Sequence, residues 1–300
     1  MMSYKKNLLI IFIFLFVSLP AILFFKFKNN LRDFVRIIKQ ELTEPNIKYK
    51  NRMPSLKHNI YTYIKYVFSS DNQSLVKNNI KNLKVLSNNN SEFYTLYDEI
   101  FMNKLYYFET EKENPFIVDC GSNIGMSIIF FKDLYPNSEI IGFEPSSHNF
   151  KILNKNIKNN NLKNVELINK ALSDNISSTK LYGAGTPMGS IDKDNPHNPG
   201  NYEIVKTTLL SEYISKPVDF LKLDVEGFEY VILKELDDQN KLDFVEKIIM
   251  EYHHFTNQNR LSKLLEILER NNFKYQICAD QHPPIEHRLA QHFFIYAYKA

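Results

Sequence analysis

The sequence lacks the features that assign a protein to a functional class at once. Its 300 residues contain two cysteines, Cys120 and Cys278, which form neither a disulfide framework nor a zinc-binding pattern. Basic and acidic residues nearly balance, 37 against 34, so the composition gives no electrostatic footprint for nucleic acid. We expect a globular chain with reduced thiols that does not take nucleic acid as a partner.

Charge is also missing from one long run near the N-terminus. Residues 7–25, NLLIIFIFLFVSLPAILFF, have no charged side chain and, at about 1.5 Å per residue, can cross a hydrocarbon core of ~30 Å. A cleaved signal peptide has a shorter apolar core and a small-residue cleavage site, whereas this run ends in Phe24, Phe25 and Lys26. We predict a single-pass membrane anchor within residues 1–28.

Flanking charges give the anchor an orientation. Lys5 and Lys6 precede it, and a larger group of basic residues follows it: Lys26, Lys28, Arg32, Arg36 and Lys39. The excess on the C-terminal side favours a cytoplasmic location for the rest of the chain. The reverse topology stays open, because two lysines on a very short N-terminal tail are compatible with it.

Two regions follow the anchor. Residues 29–113 show helical spacing in LRDFVRIIKQEL and FYTLYDEIF, interrupted by Pro45 and Pro54, and we interpret them as a linker and helical cap. From residue 114 to 300, short apolar runs alternate with helices, which is typical of βαβ units. The predicted fold class is α/β, a doubly wound, mainly parallel sheet of five strands plus a terminal pair, the last strand antiparallel.

In such sheets ligands bind beyond the carboxyl ends of the strands. The first predicted strand ends in VDCGSNIG, where Gly121 and Gly125 allow close backbone approach and the next helix points its N-terminus at the same spot. The second ends in GFEP, which places Glu144 where a carboxylate can accept hydrogen bonds from ribose hydroxyls. Together these features predict a nucleoside site.

The glycine pattern bears on which nucleoside cofactor binds. A dinucleotide fingerprint has the form G-x-G-x-x-G, and the middle glycine is missing here. Asp119 directly before the loop would repel a pyrophosphate but suits a ligand with an ammonium and a sulfonium. We predict S-adenosylmethionine rather than NAD, with Ser122 and Asn123 among the loop residues that bind it.

Three segments resemble successive motifs of the FkbM family of S-adenosylmethionine-dependent methyltransferases. They begin at FIVDCGSNIGMS, NVELINKALSD and FLKLDVEGFEY, within residues 116–251. The resemblance implies a class I methyltransferase fold with a seven-stranded sheet, and O-methylation of a sugar or polyketide hydroxyl. It also implies that Asp119, Gly121 and Gly125 contact the methionine portion, Glu144 the ribose and Ala171 the adenine.

The Asp-Val-Glu-Gly segment ends the fourth predicted strand, which lies beside the first in a doubly wound sheet. Strand alternation predicts that Asp224 and Glu226 project from one side, toward the cofactor, while Gly227 lets the next helix start nearby. The structural alternative is a helix N-cap with a carboxylate in the first turn. Both roles are compatible.

The fifth predicted strand ends in MEYHHF, where Glu251 and His253 share one face and His254 takes the other. A hydroxyl nucleophile needs a base, and we predict His253, oriented by Glu251, with Asp224 or Glu226 as alternatives. A divalent ion held by Asp224, Glu226 and Glu251 is chemically reasonable. The prediction we adopt has no metal.

These expectations combine into a membrane-anchored O-methyltransferase that acts on a carbohydrate or glycolipid hydroxyl. A lipid or protein acceptor is the nearest alternative. An NAD-dependent sugar-modifying oxidoreductase and a non-catalytic nucleoside-binding protein are the others.

Overall fold

The computed structural model describes residues 35–36, 54–68, 75–186, 188–192, 201–255, 260–279 and 290–299. The predicted anchor lies outside these residues. Among those described, none of the helices is both long and apolar enough to cross a membrane. The chain forms two compact units, Met1–Val76 with Asn88–Asn103 and Lys77–Ser87 with Lys104–Ala300.

In the first unit, the described residues form two helices that contact each other through aromatic side chains. Helix α1 spans Leu56–Phe68, and α2 spans Asn90–Tyr97 and continues into a π-helical turn at Asp98–Met102. The Asn89 side chain caps α2 by accepting a hydrogen bond from the Glu92 backbone N–H. Tyr66 and Tyr94 stack with ring centroids 4.2 Å apart. The predicted helix in FYTLYDEIF is confirmed.

The second unit contains most of the regular structure. The described strands, which lie in this unit except for the first residue of β1, are in chain order β1 Val76–Ile80, β2 Leu83–Ser87, β3 Phe116–Cys120, β4 Glu139–Phe143, β5 Val165–Ile168, β6 Ala171–Leu172, β7 Ser178–Tyr182, β8 Tyr202–Thr208, β9 Phe220–Leu223, β10 Lys247–Phe255, β11 Phe273–Ala279 and β12 Ala290–Lys299. Its helices are α3 Met126–Leu134, α4 Ser147–Asn159, α5 Glu229–Asp238 and α6 Leu261–Arg270. Short 3-10 turns occur at Leu210–Tyr213 and Leu242–Phe244.

Seven strands form the main sheet, in the order β11-β12-β10-β9-β3-β4-β5. The neighbours from β10 to β5 pair in parallel, and β12 runs antiparallel to both β10 and β11. The predicted doubly wound sheet, its antiparallel last strand and the adjacency of the first and fourth main strands, β3 and β9, are confirmed. The carboxyl ends of β3, β4, β9 and β10 therefore meet at one edge of the sheet.

The central strands are buried on both faces. Every residue of β3 and β9 is buried, as expected for parallel strands covered by helices. Helix α3 is apolar nearly all round, and eight of its nine residues are buried, including Phe130 and Phe131. A charged side chain within this layer is costly unless it is paired, which makes Asp119 on β3 and Lys222 on β9 the positions of interest.

The third predicted strand, NVELINKAL, is in fact two strands. β5 joins the main sheet, whereas β6 pairs with β8 in a three-stranded sheet of order β6-β8-β7. The split follows Asn169, whose side-chain amide donates to the backbone oxygens of Glu144 and Pro145. The predicted strand therefore contributes to two sheets, and the chain turns between them at Asn169.

The segment interpreted as linker and helical cap also contains a hairpin, β1 and β2. Its edge is bound by the side-chain amides of Asn156 in α4 and of Asn160, the residue at the C-terminal cap of that helix. Asn156 accepts from the Leu86 N–H and donates to the Leu86 and Ile124 oxygens, and Asn160 exchanges hydrogen bonds with the Lys84 backbone. These amides satisfy strand-edge groups that would otherwise lack partners.

Candidate active site

The loop after β3 is fixed by two glycines with left-handed backbones. Gly121 has φ +85°, and a Cβ there would lie 1.9 Å from the backbone oxygen of Asp224. Gly125 has φ +91°, starts α3, and would place a Cβ 2.6 Å from Leu153 Cδ1. These glycines are therefore required by packing inside the protein. Their absent side chains bring the loop directly against the residues that follow β9.

Glu144 holds the same loop from the side of β4. Its Oε2 accepts a hydrogen bond from the Asn123 N–H at 2.9 Å, and its Oε1 accepts one from the Ser146 N–H at 2.8 Å. Burial raises the pKa of Glu144 to about 7, although these two backbone donors lower it in part. Asn123 has φ +46°, and its Oδ1 is buried without a hydrogen-bond partner. Ser122 Oγ donates to the Asp119 backbone oxygen.

Asp119 lies beneath this loop in a buried ion pair. Its Oδ1 is 3.3 Å from Lys222 Nζ, and its Oδ2 accepts a hydrogen bond from Ser127 Oγ at 2.6 Å. The Asp119 side chain has no exposed surface. Its predicted contact with the methionine portion of a cofactor stays a prediction.

Lys222 links the two central strand ends. Its side chain is 2% exposed, and its ammonium lies 3.3 Å from both Asp119 Oδ1 and Asp224 Oδ2 and donates to the Gly121 backbone oxygen at 2.8 Å. Although burial alone would lower the pKa of Lys222, the two aspartates raise it above its usual range. The two aspartates thus favour the charged form of Lys222.

Asp224 has two partners. Besides Lys222, the Tyr106 hydroxyl donates to its Oδ2 at 3.0 Å. Burial opposes ionisation, but Lys222, His253 and the Tyr106 hydrogen bond lower the pKa of Asp224 below its ordinary value. The structure thus holds Asp224 as a carboxylate.

An acidic cluster surrounds His253, which is buried at the end of β10. Its Nδ1 lies 2.9 Å from Glu229 Oε1, and its Nε2 lies 3.2 Å from Glu226 Oε2 and 4.0 Å from Glu251 Oε1. Burial favours the neutral ring, but Glu226 and Glu229 raise the pKa of His253 well above its ordinary value. Burial, together with the neighbouring carboxylates, raises the pKa of Glu226 to about 8 in spite of His253.

The structure corrects one detail of the predicted cluster. Strand alternation does not place Asp224 and Glu226 on one side, because β9 ends at Leu223 and Glu226 adopts a left-handed backbone with φ +56°. The turn nevertheless brings both carboxylates within reach of His253. On β10 the alternation holds, since Glu251 and His253 share one face and His254 lies on the other with Tyr252.

Ligand atoms suited to a metal ion converge in two groups among the described residues. One consists of Glu251, His253 and His292, and the other of Asp224, Glu226 and His253. His292 comes from β12 and pairs directly with His253 across the antiparallel ladder. Its Nδ1 is 3.4 Å from Glu251 Oε1.

The side chain of Ala171 belongs to the core of the three-stranded sheet. Its methyl group packs with Leu181 and Val205 in the core of the three-stranded sheet. Any contact of Ala171 with adenine would use its backbone, and that role stays a prediction.

A cleft of about 500 Å³ lies elsewhere, lined in part by Phe116, Glu139, Val165 and Lys216. The first three are the starting residues of β3, β4 and β5, so this cleft faces the amino ends of the strands. It is separate from the edge where ligands bind in doubly wound sheets.

Four residues of the site escaped the sequence analysis: Tyr106, Lys222, Glu229 and His292. Lys222 had a usable signal, because a lysine inside an otherwise apolar buried strand implies a buried acid as its partner. Glu229 stood in the first turn of a predicted helix, where a carboxylate has an ordinary structural explanation. Tyr106 and His292 come from distant segments, and their positions depend on the tertiary fold.

Comparison with known proteins identifies the relatives of this chain. The family described as Methyltransferase FkbM domain matches residues 119–275, just over half of the chain. Methyltransferase 1 of Beauveria bassiana is 30% identical, over 52% of this chain and 72% of that protein. Methyltransferase sdnD of Sordaria araneosa is 28% identical, over 52% and 73% respectively.

Solved structures offer more distant likenesses. The FkbM methyltransferase from Methylobacillus flagellatus KT is 13% identical, with a TM-score of 0.42 over 90% of this chain and 60% of that one. The TYW2 protein of M. jannaschii in complex with AdoMet is 14% identical, with a TM-score of 0.42 over 76% and 87%.

Replacing Lys222 by Met tests the buried ion pair. The variant leaves Asp119 charged and uncompensated, so we expect the free energy of unfolding to fall by about 3–5 kcal/mol. The control is Lys216→Met, which removes a lysine that is 46% exposed and paired with Glu139, and should cost at most about 1 kcal/mol. Urea denaturation measures both, and an equal loss in the two variants would contradict the assignment.

Proposed function

This chain belongs to the FkbM family of methyltransferases, whose methyl donor is S-adenosylmethionine, and we propose that its acceptor group is a hydroxyl of a carbohydrate or glycolipid. The observation that carries the proposal is the Glu226 carboxylate beside His253, at the strand end next to the glycine loop. A hydroxyl must lose its proton to become a nucleophile, and this cluster offers a place for that proton.

The loop and its neighbours fit the cofactor. Asn123 Oδ1 is an unpaired buried acceptor, Gly121 and Gly125 leave the loop without side chains at its two ends, and α3 begins without a side-chain cap. Each oxygen of Glu144 accepts one hydrogen bond from a backbone N–H and retains acceptor capacity for ribose hydroxyls. We propose that these residues and Ser122 hold S-adenosylmethionine.

The bound cofactor supplies an electrophilic methyl group on a neutral leaving group. The residues of the chain contribute position and proton transfer. Orientation alone can contribute on the order of 7–11 kcal/mol to such a displacement. Tyr106 and Lys222 hold Asp224 beside the loop, because Lys222 contacts both Asp224 and the Gly121 backbone oxygen.

Glu226 is the group that we propose accepts the proton. Its side chain is 18% exposed at the strand end, whereas His253 is 3% exposed and has carboxylates at both nitrogens. His253 therefore acts as the positioning group behind Glu226, which revises the choice of His253 as base. Glu229 fixes His253 from the far side, and its Oε1 also accepts hydrogen bonds from the Val225 and Gly227 backbones.

The electrostatics of the site bear on the acceptor. Carboxylates dominate the strand ends, and an acceptor with a phosphate or carboxylate next to the reacting atom would meet like charge. A neutral polyol avoids this repulsion and can donate hydrogen bonds to the acids. The family resemblance and the predicted membrane anchor also support a carbohydrate or glycolipid.

Glu226→Gln tests the acceptor chemistry. With radiolabelled S-adenosylmethionine and a panel of glycosides, glycolipids, phospholipids and peptides, we expect label in the hydroxyl-bearing carbohydrates and a loss of about 100-fold or more in kcat in the variant. Cofactor affinity should change less than threefold. The surface variant Glu266→Gln is the control. Transfer only to peptide amines, or full activity in Glu226→Gln, would overturn the proposal.

The pKa of Glu144 predicts how cofactor binding depends on pH. Ribose hydroxyls donate to the carboxylate, so binding favours the ionised form, which declines as the pH falls below about 7. The affinity for S-adenosylhomocysteine, the demethylated product, should be about tenfold weaker at pH 6 than at pH 8, since one pH unit below the pKa leaves about a tenth of the group ionised. Calorimetric titration measures this.

Two variants sharpen that measurement. Glu144→Gln should bind more weakly and lose the pH dependence, whereas Glu166→Gln, an exposed residue of β5, should keep both affinity and slope. A slope that survives in Glu144→Gln would assign it to another group.

We also propose that residues 7–25 anchor the enzyme in a membrane, which rests on the sequence pattern alone. Full-length protein should stay in the membrane pellet after alkaline carbonate washing. Phe14→Arg combined with Phe16→Arg should release it, because each arginine costs about 2.5–3.5 kcal/mol at the centre of a spanning helix. Wild-type protein in the supernatant would contradict the anchor.

A further inference from the structure

We propose that Glu251, His253 and His292 form a binding site for one divalent transition-metal ion. The three residues lie on the adjacent strands β10 and β12, and their ligand atoms lie within 4.8 Å of one another. Two imidazoles and a carboxylate are a donor set suited to zinc, iron, cobalt or nickel, whereas magnesium and calcium prefer oxygen ligands throughout.

The spacing of the donor atoms matches a shared ion. His292 Nδ1 lies 3.4 Å and His253 Nε2 lies 4.0 Å from Glu251 Oε1. Two ligands of a tetrahedral zinc ion, each about 2.1 Å from the metal, are about 3.4 Å apart. The His292–Glu251 pair already has this separation, the other ligand atoms lie within 4.8 Å of one another and would move closer around an ion, and the backbone register pairs His253 with His292.

Glu229 supplies the outer support that metal-binding histidines characteristically have. Its Oε1 lies 2.9 Å from His253 Nδ1, and its side chain has no exposed surface. This contact orients the ring and places its proton on Nδ1, facing Glu229. The other nitrogen, Nε2, is then free of a proton and faces the proposed ion. The hydrogen bonds from the Val225 and Gly227 backbones to Glu229 hold the carboxylate in place.

The charges around His253 also call for a cation. Three carboxylates, those of Glu226, Glu229 and Glu251, lie within 4.0 Å of this one imidazole. A dication bound at Nε2 would lie among these acidic groups, whose negative charge is costly in a buried site unless it is compensated.

The competing group of Asp224, Glu226 and His253 is a weaker candidate. Asp224 already has Lys222 and Tyr106 as partners, so a metal ion there would have to displace a buried ammonium or a tyrosine hydroxyl. The Glu251 group is open instead, because His292 is 41% exposed and Glu251 is 20% exposed. This open side leaves a coordination position for an oxygen of the acceptor, a role that rests on the proposed function.

The test uses the full-length protein, stripped with a chelator and titrated with Co²⁺ under calorimetric and visible-absorption detection. We expect one equivalent of Co²⁺, tight binding that Zn²⁺ displaces, and at least a 100-fold loss of affinity in His292→Ala. Because His292 is an exposed residue, this variant should fold. Glu229→Gln should lower the affinity about 10–100-fold.

His254→Ala is the matched control, because His254 adjoins His253 in sequence but lies on the opposite face of β10. It should bind Co²⁺ like the wild type. Absence of a stoichiometric site, or equal binding by wild type and His292→Ala, would overturn the proposal. So would preferential Mg²⁺ binding that is insensitive to His292→Ala, since it would indicate an all-carboxylate site.

The Co²⁺-binding experiment tests the metal site separately from the proposed acceptor. Stoichiometric Co²⁺ binding without any carbohydrate methylation would retain the metal site and reject the proposed acceptor. Carbohydrate methylation by protein that binds no Co²⁺ would do the opposite. If both are present, His292→Ala should raise the KM for the acceptor at least tenfold while the Kd of S-adenosylhomocysteine stays within twofold.

Discussion

The buried contact of Lys222 with Asp119 and Asp224 is the constraint on which the site depends. It joins the ends of β3 and β9, two strands that the register already places side by side, and it also binds the backbone of the glycine loop. An isolated charge at this depth would be prohibitively costly, so the three residues stabilise the fold only as a set. The same set therefore determines where the loop lies and in which ionisation state Asp224 is held.

Beyond that contact, the turn after β9 determines the rest of the geometry. Asp224 remains bound to the strand ends, whereas the left-handed Glu226 and the following Gly227 redirect the chain so that α5 begins at Glu229. His253 then lies between Glu226 and Glu229, one at each ring nitrogen. Glu226 is thus a non-glycine residue in the left-handed backbone region that lies at the site, a conformation that the surrounding contacts must hold in place.

Much of this arrangement follows from the sequence, because it depends on local patterns. Apolar runs alternating with helices predicted the sheet and its antiparallel last strand, and the acids at the strand ends predicted the site. The sequence could not predict the pairing of His253 with His292, which depends on β12 inserting between β10 and β11. Tyr106 is a similar case, since it reaches Asp224 across 118 residues of sequence. The error at Glu226 has a local cause, because alternation was extended past the last strand residue, Leu223.

The balance between acidic groups and their partners differs from one side of the site to the other. On the side of β3 and β4, the acids are matched: Asp119 has Lys222 and Ser127, and Glu144 has two backbone donors. On the side of β10, carboxylates outnumber the basic groups that face them. A balanced region can hold a cofactor in one geometry at little electrostatic cost, whereas an unbalanced one attracts protons or cations. The proton of an acceptor and the charge of a metal ion are two ways to meet the same excess, and both would be drawn to the face where His253, Glu226 and Glu251 converge.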